Sequence, residues 1–308
     1  MSSAFESLGA LSSALVSLVD HTGRSVFAVA GRGPRAAASA TVWRPGLVVT
    51  VAHPWRRMPA ALSLIGAGGA AVEAALVGVD ASTDLALFRL ADESAPAVTL
   101  SEHKPRAGAF VAAIGRAIDG EVAASQGIVQ RVGGAWQTWL GGALDAAIRL
   151  DGGLHDGLSG APVADASGGA IGIASAALSR SHGIVIPAST VSRVVDALLA
   201  KGHVPRAFLG IGVQPVEIAA TAADGKASHG LLVTSLAAGG PAVQAGLMVG
   251  DIVVAVDGQA VQSLAALRSA LAGRVGASVP VQVSRGGVIT TIELTVGEWP
   301  QESRRRCG

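Results

Sequence analysis

After Gly23 the chain falls into short apolar runs separated by turn residues. Runs rich in Val, Ile, Leu and Ala alternate with Gly, Pro and Asp: Val26–Ala30, Ser39–Trp43, Leu47–Val51, Ala61–Leu64, Glu73–Val79, Leu85–Leu90, Phe110–Ile114 and Gly127–Val132. Ala146–Leu150, Ala161–Val163, Ala170–Ala174 and Gly183–Ile186 continue the series. Runs this short suit strands, and the turn residues supply the conformations that reverse the chain. About a dozen of them at regular intervals predict a closed barrel or a sandwich. Half of the 308 residues are apolar and 15% are charged, which excludes a disordered chain and allows two domains.

Helices punctuate this β-rich region. Phe5, Leu8, Leu11, Leu15 and Leu18 recur every three or four residues, so the first segment reads as a helix, with Ser3 and Glu6 at capping-box spacing. A second helix carries Val191, Val194, Val195, Leu198 and Leu199, capped by Ser189 or Thr190 and ended by Gly202. Residues 202–206 read as a linker. Beyond them come strands near Leu231–Ser235, Ile252–Val256, Val279–Ser284 and Thr290–Thr295. A short helix begins at Pro241, and another spans about Ser263 to Ala272. The expected division is a helical segment at 1–25, an all-β domain at 26–203, an α+β domain at 207–299 and a tail at 300–308.

Composition narrows the function. The net charge is +1; residues 1–205 carry 15 basic and 15 acidic groups and residues 206–308 carry 8 and 7, so neither half reads as an electrostatic nucleic-acid binder. Arg304–Arg306 reads as a solvated tail. The lone Cys307 permits no intrachain disulfide. His21, His103, His182, His203 and His229 lack metal-ligand spacing, and neither a metal nor a cofactor is expected. The charge-free stretch from Ala227 to Gly250 holds His229, Gln244, Pro241 and five glycines, so it reads as strands and turns rather than a membrane span. The opening MSSAFESLGALSS has no basic segment and carries Glu6, unlike a signal peptide, so the expected compartment is the cytoplasm.

Three residues stand out by context. His53 follows a predicted strand, Asp84 precedes another in Ser82-Thr83-Asp84-Leu85, and Ser159 sits in the turn Asp156-Gly157-Leu158-Ser159-Gly160. The order His, Asp, Ser belongs to the chymotrypsin arrangement, not to subtilisin or the α/β-hydrolases. A serine hydroxyl is a poor nucleophile at neutral pH. His53 can take its proton as general base, and Asp84 can hold the imidazole tautomer. The N–H groups of Gly157 and Ser159 can meet the developing oxyanion.

With these motifs the chain resembles the HtrA/Deg family of serine proteases over residues 1–299. T-x-x-H is met at Thr50–His53, S/T-D-[IL]-A-[LV] at Thr83–Leu87, and G-N-S-G-[GS] in part at Gly157–Ala161. The resemblance implies a mainly β fold: a chymotrypsin-like double β-barrel followed by an α+β PDZ domain. It implies that Ser175, in Gly172-Ile173-Ala174-Ser175, supports the catalytic aspartate. Phe208-Leu209-Gly210-Ile211 resembles a PDZ carboxylate-binding loop, whose Leu209, Gly210 and Ile211 N–H groups would capture a peptide C-terminus. Gly239–Asp251 resembles the turn-helix-turn of HtrA-type PDZ domains. Three departures stand out. Leu158 replaces the usual Asn, Ala161 replaces a Gly or Ser, and Ala38-Ser39-Ala40 stands where Gly-Ser-Gly is usual.

The implied activity is that of a serine endopeptidase acting on unfolded or damaged proteins, with protein C-termini at the PDZ groove and assembly into a homo-trimer through the N-terminal part. Gly153, six residues before Ser159, leaves the primary pocket without an acidic residue, so cleavage is expected after small or medium apolar residues. His155 and Asp156 read as solvated loop residues. Two rival readings are a catalytically silent PDZ scaffold and an enzyme gated by a peptide at its PDZ domain.

Overall fold

The computed structural model describes residues 2–29, 38–55, 57–218 and 228–299, with the backbone alone at 2–4 and 228. The expected features at Arg304–Arg306 and Cys307 lie outside the described residues. The chain divides into two compact units, Met1–Val204 and Pro205–Gly308.

The first unit opens with α1 (Ser2–Gly23). The helix already includes Ser3, so it starts before the expected cap. Phe5, Leu8 and Leu11 are exposed, whereas Leu18 and Val19 pack against Ala112, Ile114 and Ala164. Six strands follow: β1 (Val26–Val29), β2 (Ala38–Arg44), β3 (Leu47–Val51), β4 (Ala61–Ile65), β5 (Ala71–Asp80) and β6 (Leu85–Leu90). They close in the order β1-β2-β3-β6-β5-β4, with Ala28 and Val29 pairing back to Ile65 and Leu64. Phe27, Val42, Val48, Leu64 and Phe88 fill this barrel.

The second barrel uses β7 (Phe110–Arg116) and β8 (Val122–Gly133). A small hairpin, β9 (Trp136–Gln137) and β10 (Ala143–Leu144), then stands aside from it. The barrel resumes with β11 (Ala147–Leu150), β12 (Pro162–Asp165), β13 (Ala170–Ser175) and β14 (Ile184–Pro187). The order β11-β14-β13-β12-β7-β8 closes through β8 and β11. Each of the twelve expected strands is present, with edges shifted by a few residues. The β9–β10 hairpin is additional.

After β14 the chain enters α2 (Ala188–Lys201). Its N-cap is Pro187, without a side-chain cap bond, so the expected cap by Ser189 or Thr190 is not formed. The Thr190 hydroxyl instead accepts from Asp145 N–H at 2.9 Å. Gly202 does end the helix, at φ 69°, with its N–H on Leu198 C=O. The buried face of α2 seals a cluster between the barrels. Val194 and Leu198 meet Trp43 and Leu87 of the first barrel and Ile173 and Ile186 of the second. Each such large side chain contributes about 1.5–3 kcal/mol by leaving water. The seam between the barrels is thereby fixed, and the candidate site residues are drawn from both sides of it.

The second unit begins with β15 (Ala207–Phe208) and β16 (Ile211–Ile218), then β17 (Ser228–Leu236), α3 (Pro241–Gln244), β18 (Ile252–Val256) and β19 (Gln259–Ala260). It continues with α4 (Leu264–Ala270), β20 (Ser278–Arg285), β21 (Val288–Thr295) and β22 (Gly297–Glu298). The sheet order is β16-β17-β18-β20-β21, which leaves β16 on an edge; β15 pairs with β22. Pro241 takes the first turn of α3, and the Ser263 hydroxyl caps α4 by accepting from Ala266 N–H at 3.1 Å.

Candidate active site

His53 stands just past β3 and Asp84 just before β6, two strands that pair side by side. The Asp84 carboxylate receives four hydrogen bonds. Oδ1 accepts from Ala52 N–H at 3.1 Å and His53 N–H at 2.8 Å. Oδ2 lies 2.9 Å from His53 Nδ1 and accepts from the Ser175 hydroxyl at 2.6 Å. Its side chain is 5% exposed and that of His53 is 33% exposed, so the carboxylate is sheltered while the imidazole stays open to solvent. A carboxylate held this way favours the tautomer with the proton on Nδ1 and leaves Nε2 as the base.

Asp84 sits at φ 62°, in the left-handed region that non-glycine residues rarely adopt. The loop in front of it accounts for the position. Asp80 Oδ1 accepts from Ser82 N–H at 3.2 Å and from its hydroxyl at 2.5 Å, while Oδ2 accepts from the Thr83 hydroxyl at 2.8 Å. The β9–β10 hairpin braces the same loop, with the Thr138 hydroxyl donating to Ser82 C=O at 2.6 Å. A Cβ at Gly142 would fall 2.2 Å from that carbonyl oxygen, so only glycine admits the approach.

Ser159 arrives from the other barrel, on the turn before β12, and is 7% exposed. Its hydroxyl oxygen accepts from Ala176 N–H at 3.2 Å; it makes no hydrogen bond to His53 in this structure. The N–H groups of Gly157 and Ser159 have no hydrogen-bond partner among the described residues. Buried backbone donors are almost always paired, so the free N–H of buried Ser159, with that of half-buried Gly157 in the same turn, is available to a ligand oxygen. Gly157 and Gly160 adopt φ 86° and 89°, and a Cβ at Gly160 would lie 2.0 Å from Ser39 C=O.

What holds this turn leaves no signature in the local sequence. Ser39, at the start of β2, is fully buried. Its hydroxyl donates to Gly157 C=O at 2.7 Å and accepts from Arg116 N–H at 3.2 Å. Its N–H donates to Ser159 C=O at 2.8 Å, and its own C=O accepts from the Thr50 hydroxyl at 2.8 Å. The peptides on either side of the Ser159 N–H are therefore both pinned by one first-barrel serine. The segment Ala38-Ser39-Ala40 drew attention for its alanines, and those pack inside the first barrel. Leu158 is 3% exposed and joins the second-barrel core with Val163 and Ala174, so its side chain anchors the loop from below. His155 and Asp156 are exposed.

Arg116, 5% exposed, donates to Val26 C=O at 2.6 Å, Gly120 C=O at 2.5 Å and Gly23 C=O at 2.6 Å. Burial pulls its pKa below the ordinary value, against the attraction of Glu121. Near Gly153, a Cβ at Gly183 would fall 2.9 Å from Leu154 Cγ, so Leu154 lies over Gly183. Among the described residues no group of three His, Cys, Asp or Glu could hold a metal ion. No helix of the described residues is long and apolar enough to cross a membrane.

In the second unit the Leu209 and Gly210 N–H groups have no partner among the described residues, while their carbonyls accept from Ala242 and Ala237 at 2.9 and 2.7 Å. Gly210 has φ 74°, which bends the loop back so that consecutive N–H groups face one side. Ile211 opens β16 at the free sheet edge. Phe208 packs edge-on against Trp299, with ring centroids 5.1 Å apart. Asp251 is almost fully buried and takes a forked bond from Arg285 at 2.8 Å on each oxygen. That bond holds its carboxyl below the usual carboxylate range.

Comparison with known proteins supplies the context. Residues 38–173 match the family of trypsin-like peptidase domains and residues 207–296 the PDZ domain family. A probable periplasmic serine endoprotease DegP-like of Halomonas elongata is 34% identical over 250 residues, covering 78% of this chain and 52% of that protein. The similarly described protein of Chlamydia trachomatis is 32% identical, covering 74% of this chain and 47% of its own length. The chain thus spans about half the length of the curated relatives it matches. A serine endoprotease from Yersinia pestis superposes with a TM-score of 0.72 at 25% identity, covering 92% of this chain and 97% of that one. The HtrA-type protease AlgW with tripeptide superposes with a TM-score of 0.73 at 25% identity, covering 92% and 96%.

Proposed function

The chain has the make-up of an HtrA/Deg-type serine protease, a trypsin-like peptidase domain followed by one PDZ domain, and from that premise we propose that it is a serine endopeptidase that hydrolyses unfolded or damaged proteins through His53, Asp84 and Ser159. One observation carries the reading. A buried carboxylate orients the His53 imidazole at 2.9 Å and is itself braced by Ser175, while two unpaired N–H groups lie in the turn that carries Ser159.

The chemistry follows from those groups. When substrate enters, the Ser159 hydroxyl leaves Ala176 N–H and turns to His53 Nε2. Oγ attacks the scissile carbonyl as Nε2 takes its proton, and Asp84 stabilises the imidazolium. The carbonyl oxygen becomes an oxyanion and accepts from Gly157 and Ser159 N–H. His53 returns the proton to the leaving amine, the acyl-enzyme forms, and water reverses the sequence. Ser175 acts through Asp84 and Ser39 through the turn, so both are positioning residues.

In this reading the Leu209, Gly210 and Ile211 N–H groups receive the C-terminal carboxylate of a protein, which lies along the edge of β16. Leu154 over Gly183 supports a shallow apolar pocket and cleavage after small or medium apolar residues. The exposed Phe5, Leu8 and Leu11 of α1 support assembly through the N-terminal part as a trimer, which the molar mass in solution tests. A cytoplasmic location is carried forward for a fractionation experiment to decide. The silent-scaffold reading is not favoured, because the relatives are named as serine endoproteases.

The test is intact-mass labelling with a fluorophosphonate on the wild type and Ser159→Ala. One adduct on the wild type and none on the variant is the expected result. An unlabelled wild type, with or without an apolar C-terminal peptide, would sink the proposal.

A further inference from the structure

β16 is the outer strand of its sheet, so one of its edges is open to an added strand. Which residues face that edge follows from the partner strand. Val233 of β17 donates its N–H to Asp251 C=O at 2.8 Å, and its C=O accepts from Gly250 N–H at 2.9 Å. Both polar groups of Val233 are therefore spent away from β16. Val213, which stands opposite Val233, must direct its own N–H and C=O outward. Alternation along β16 gives the same outward direction to Ile211, Pro215 and Glu217. The register shift between Gly212 and Val213 leaves this unchanged, because the extra residue, Thr234, is in β17.

The open edge thus presents donors at Ile211 and Val213 and then a gap. Pro215 has no N–H, and its ring methylene occupies the place where the hydrogen would stand. Pro215 is exposed, so no other element covers that gap.

We propose that Pro215 sets the reach of the peptide groove, limiting main-chain pairing to about the last four residues of a bound C-terminus. The inference rests on the carboxylate-loop reading above. With the carboxylate on Leu209, Gly210 and Ile211, the last residue's N–H meets Ile211 C=O. The residue two positions upstream exchanges both of its bonds with Val213. The carbonyl four positions upstream would need a donor at 215 and meets a ring carbon instead. The added strand is pushed off the edge there, and the donor at Glu217 goes unused. The groove therefore recognises a chain end by its final residues and ignores the sequence further in. The same proline blunts an edge that would otherwise pair with any extended chain.

The test uses the full chain with Ser159→Ala, so that no peptide is cut, and calorimetric binding of acetylated peptides of three to eight residues. The peptides share one apolar C-terminal pair and carry only alanine upstream. The wild-type groove should gain no affinity beyond four residues. Pro215→Ala should match it on the three-residue peptide, which has no carbonyl at the fourth upstream position. From four residues on, Pro215→Ala should bind about two- to tenfold tighter, the worth of one net amide hydrogen bond. A wild-type affinity that keeps rising through six residues would overturn the limit, as would a variant-to-wild-type ratio that is the same at every length. Peptides with an amidated C-terminus separate the two readings: equal binding of acid and amide, or no binding of either, would overturn the carboxylate reading itself. In a second variant, Val213→Pro, the missing donor moves two residues closer to the carboxylate loop, and binding of the four-residue peptide should weaken while the thermal midpoint shows the fold intact.

Discussion

Ser39→Ala tests whether a residue that holds the Ser159 turn through its carbonyls, far from it in sequence, governs the proposed oxyanion site. The substitution removes one oxygen and leaves the Ser39 backbone bonds to Ser159 C=O and the Thr50 hydroxyl in place. Two groups lose their partner, Gly157 C=O and Arg116 N–H. Each orphaned buried group costs about 1–3 kcal/mol, so the thermal midpoint should fall by several degrees, at roughly 2–4 °C per kcal/mol for a unit of this size. The effect on rate has a different origin. The Gly157–Leu158 peptide loses a bond with a net worth of about 1 kcal/mol, which multiplies misaligned conformers roughly fivefold. Complete loss of one oxyanion donor would cost about 10²–10³ in kcat, which sets the ceiling. The expected loss in kcat is therefore about 5- to 100-fold, with KM within about twofold, because the donors engage the oxyanion more than the ground-state carbonyl. Fluorophosphonate labelling should slow by a similar factor, since the phosphonyl oxygen uses the same donors. Ser39→Thr keeps the oxygen and should recover most of the rate. A variant with a lower thermal midpoint but wild-type kcat would refute the argument, as would a loss confined to KM.

Other substitutions probe the rest of the site. Asp84→Asn should preserve the fold but lower kcat by about 10⁴, because the amide favours the wrong imidazole tautomer; stopped-flow or long-time peptide assays check it. Ser175→Ala removes a 2.6 Å donor to a buried carboxylate, a charge-assisted bond worth about 1.5–3 kcal/mol. The expected loss is about ten- to a hundredfold in kcat, and it should be absent in an Asp84→Ala background. Acid should weaken the second unit through Asp251. Its folded pKa lies below the unfolded value of 3.8, so the unfolded chain takes up the proton first. That contribution is complete above the unfolded value and is lost as pH falls through the folded one. Denaturant midpoints of Asp251→Asn should show less loss between about pH 5 and pH 2 than those of the wild type.

The barrels were legible because their strands obey a short, regular rhythm punctuated by Gly and Asp, and the site because His53, Asp84 and Ser159 each sit at the edge of such a strand. β16 was read only as far as its first residue. Gly212, Gln214, Pro215 and Glu217 interrupt its apolar character, and an edge strand facing solvent has no need of one. Ser39 escaped notice for another reason. Its role depends on a contact with Gly157, 118 residues away, and nothing local in Ala38-Ser39-Ala40 announces a partner so distant. Arg116 looks like a surface charge at a strand end, yet two carbonyls at the junction of α1 and β1 and a third at Gly120 enclose it. The β9–β10 hairpin is too short for periodicity to register. Thr190 had the composition of a cap and found a different employment, because Pro187 had already fixed the direction of the chain.

Leu158 gives the Ser159 turn an anchor made of hydrocarbon. Its hold does not depend on ionisation, and it is indifferent to screening by salt. It follows instead the heat capacity of water around apolar surface, so it slackens on cooling and stiffens on warming through the moderate range. The set of the Ser159 turn is thereby coupled to temperature, with the turn loosest in the cold and firmer on moderate warming.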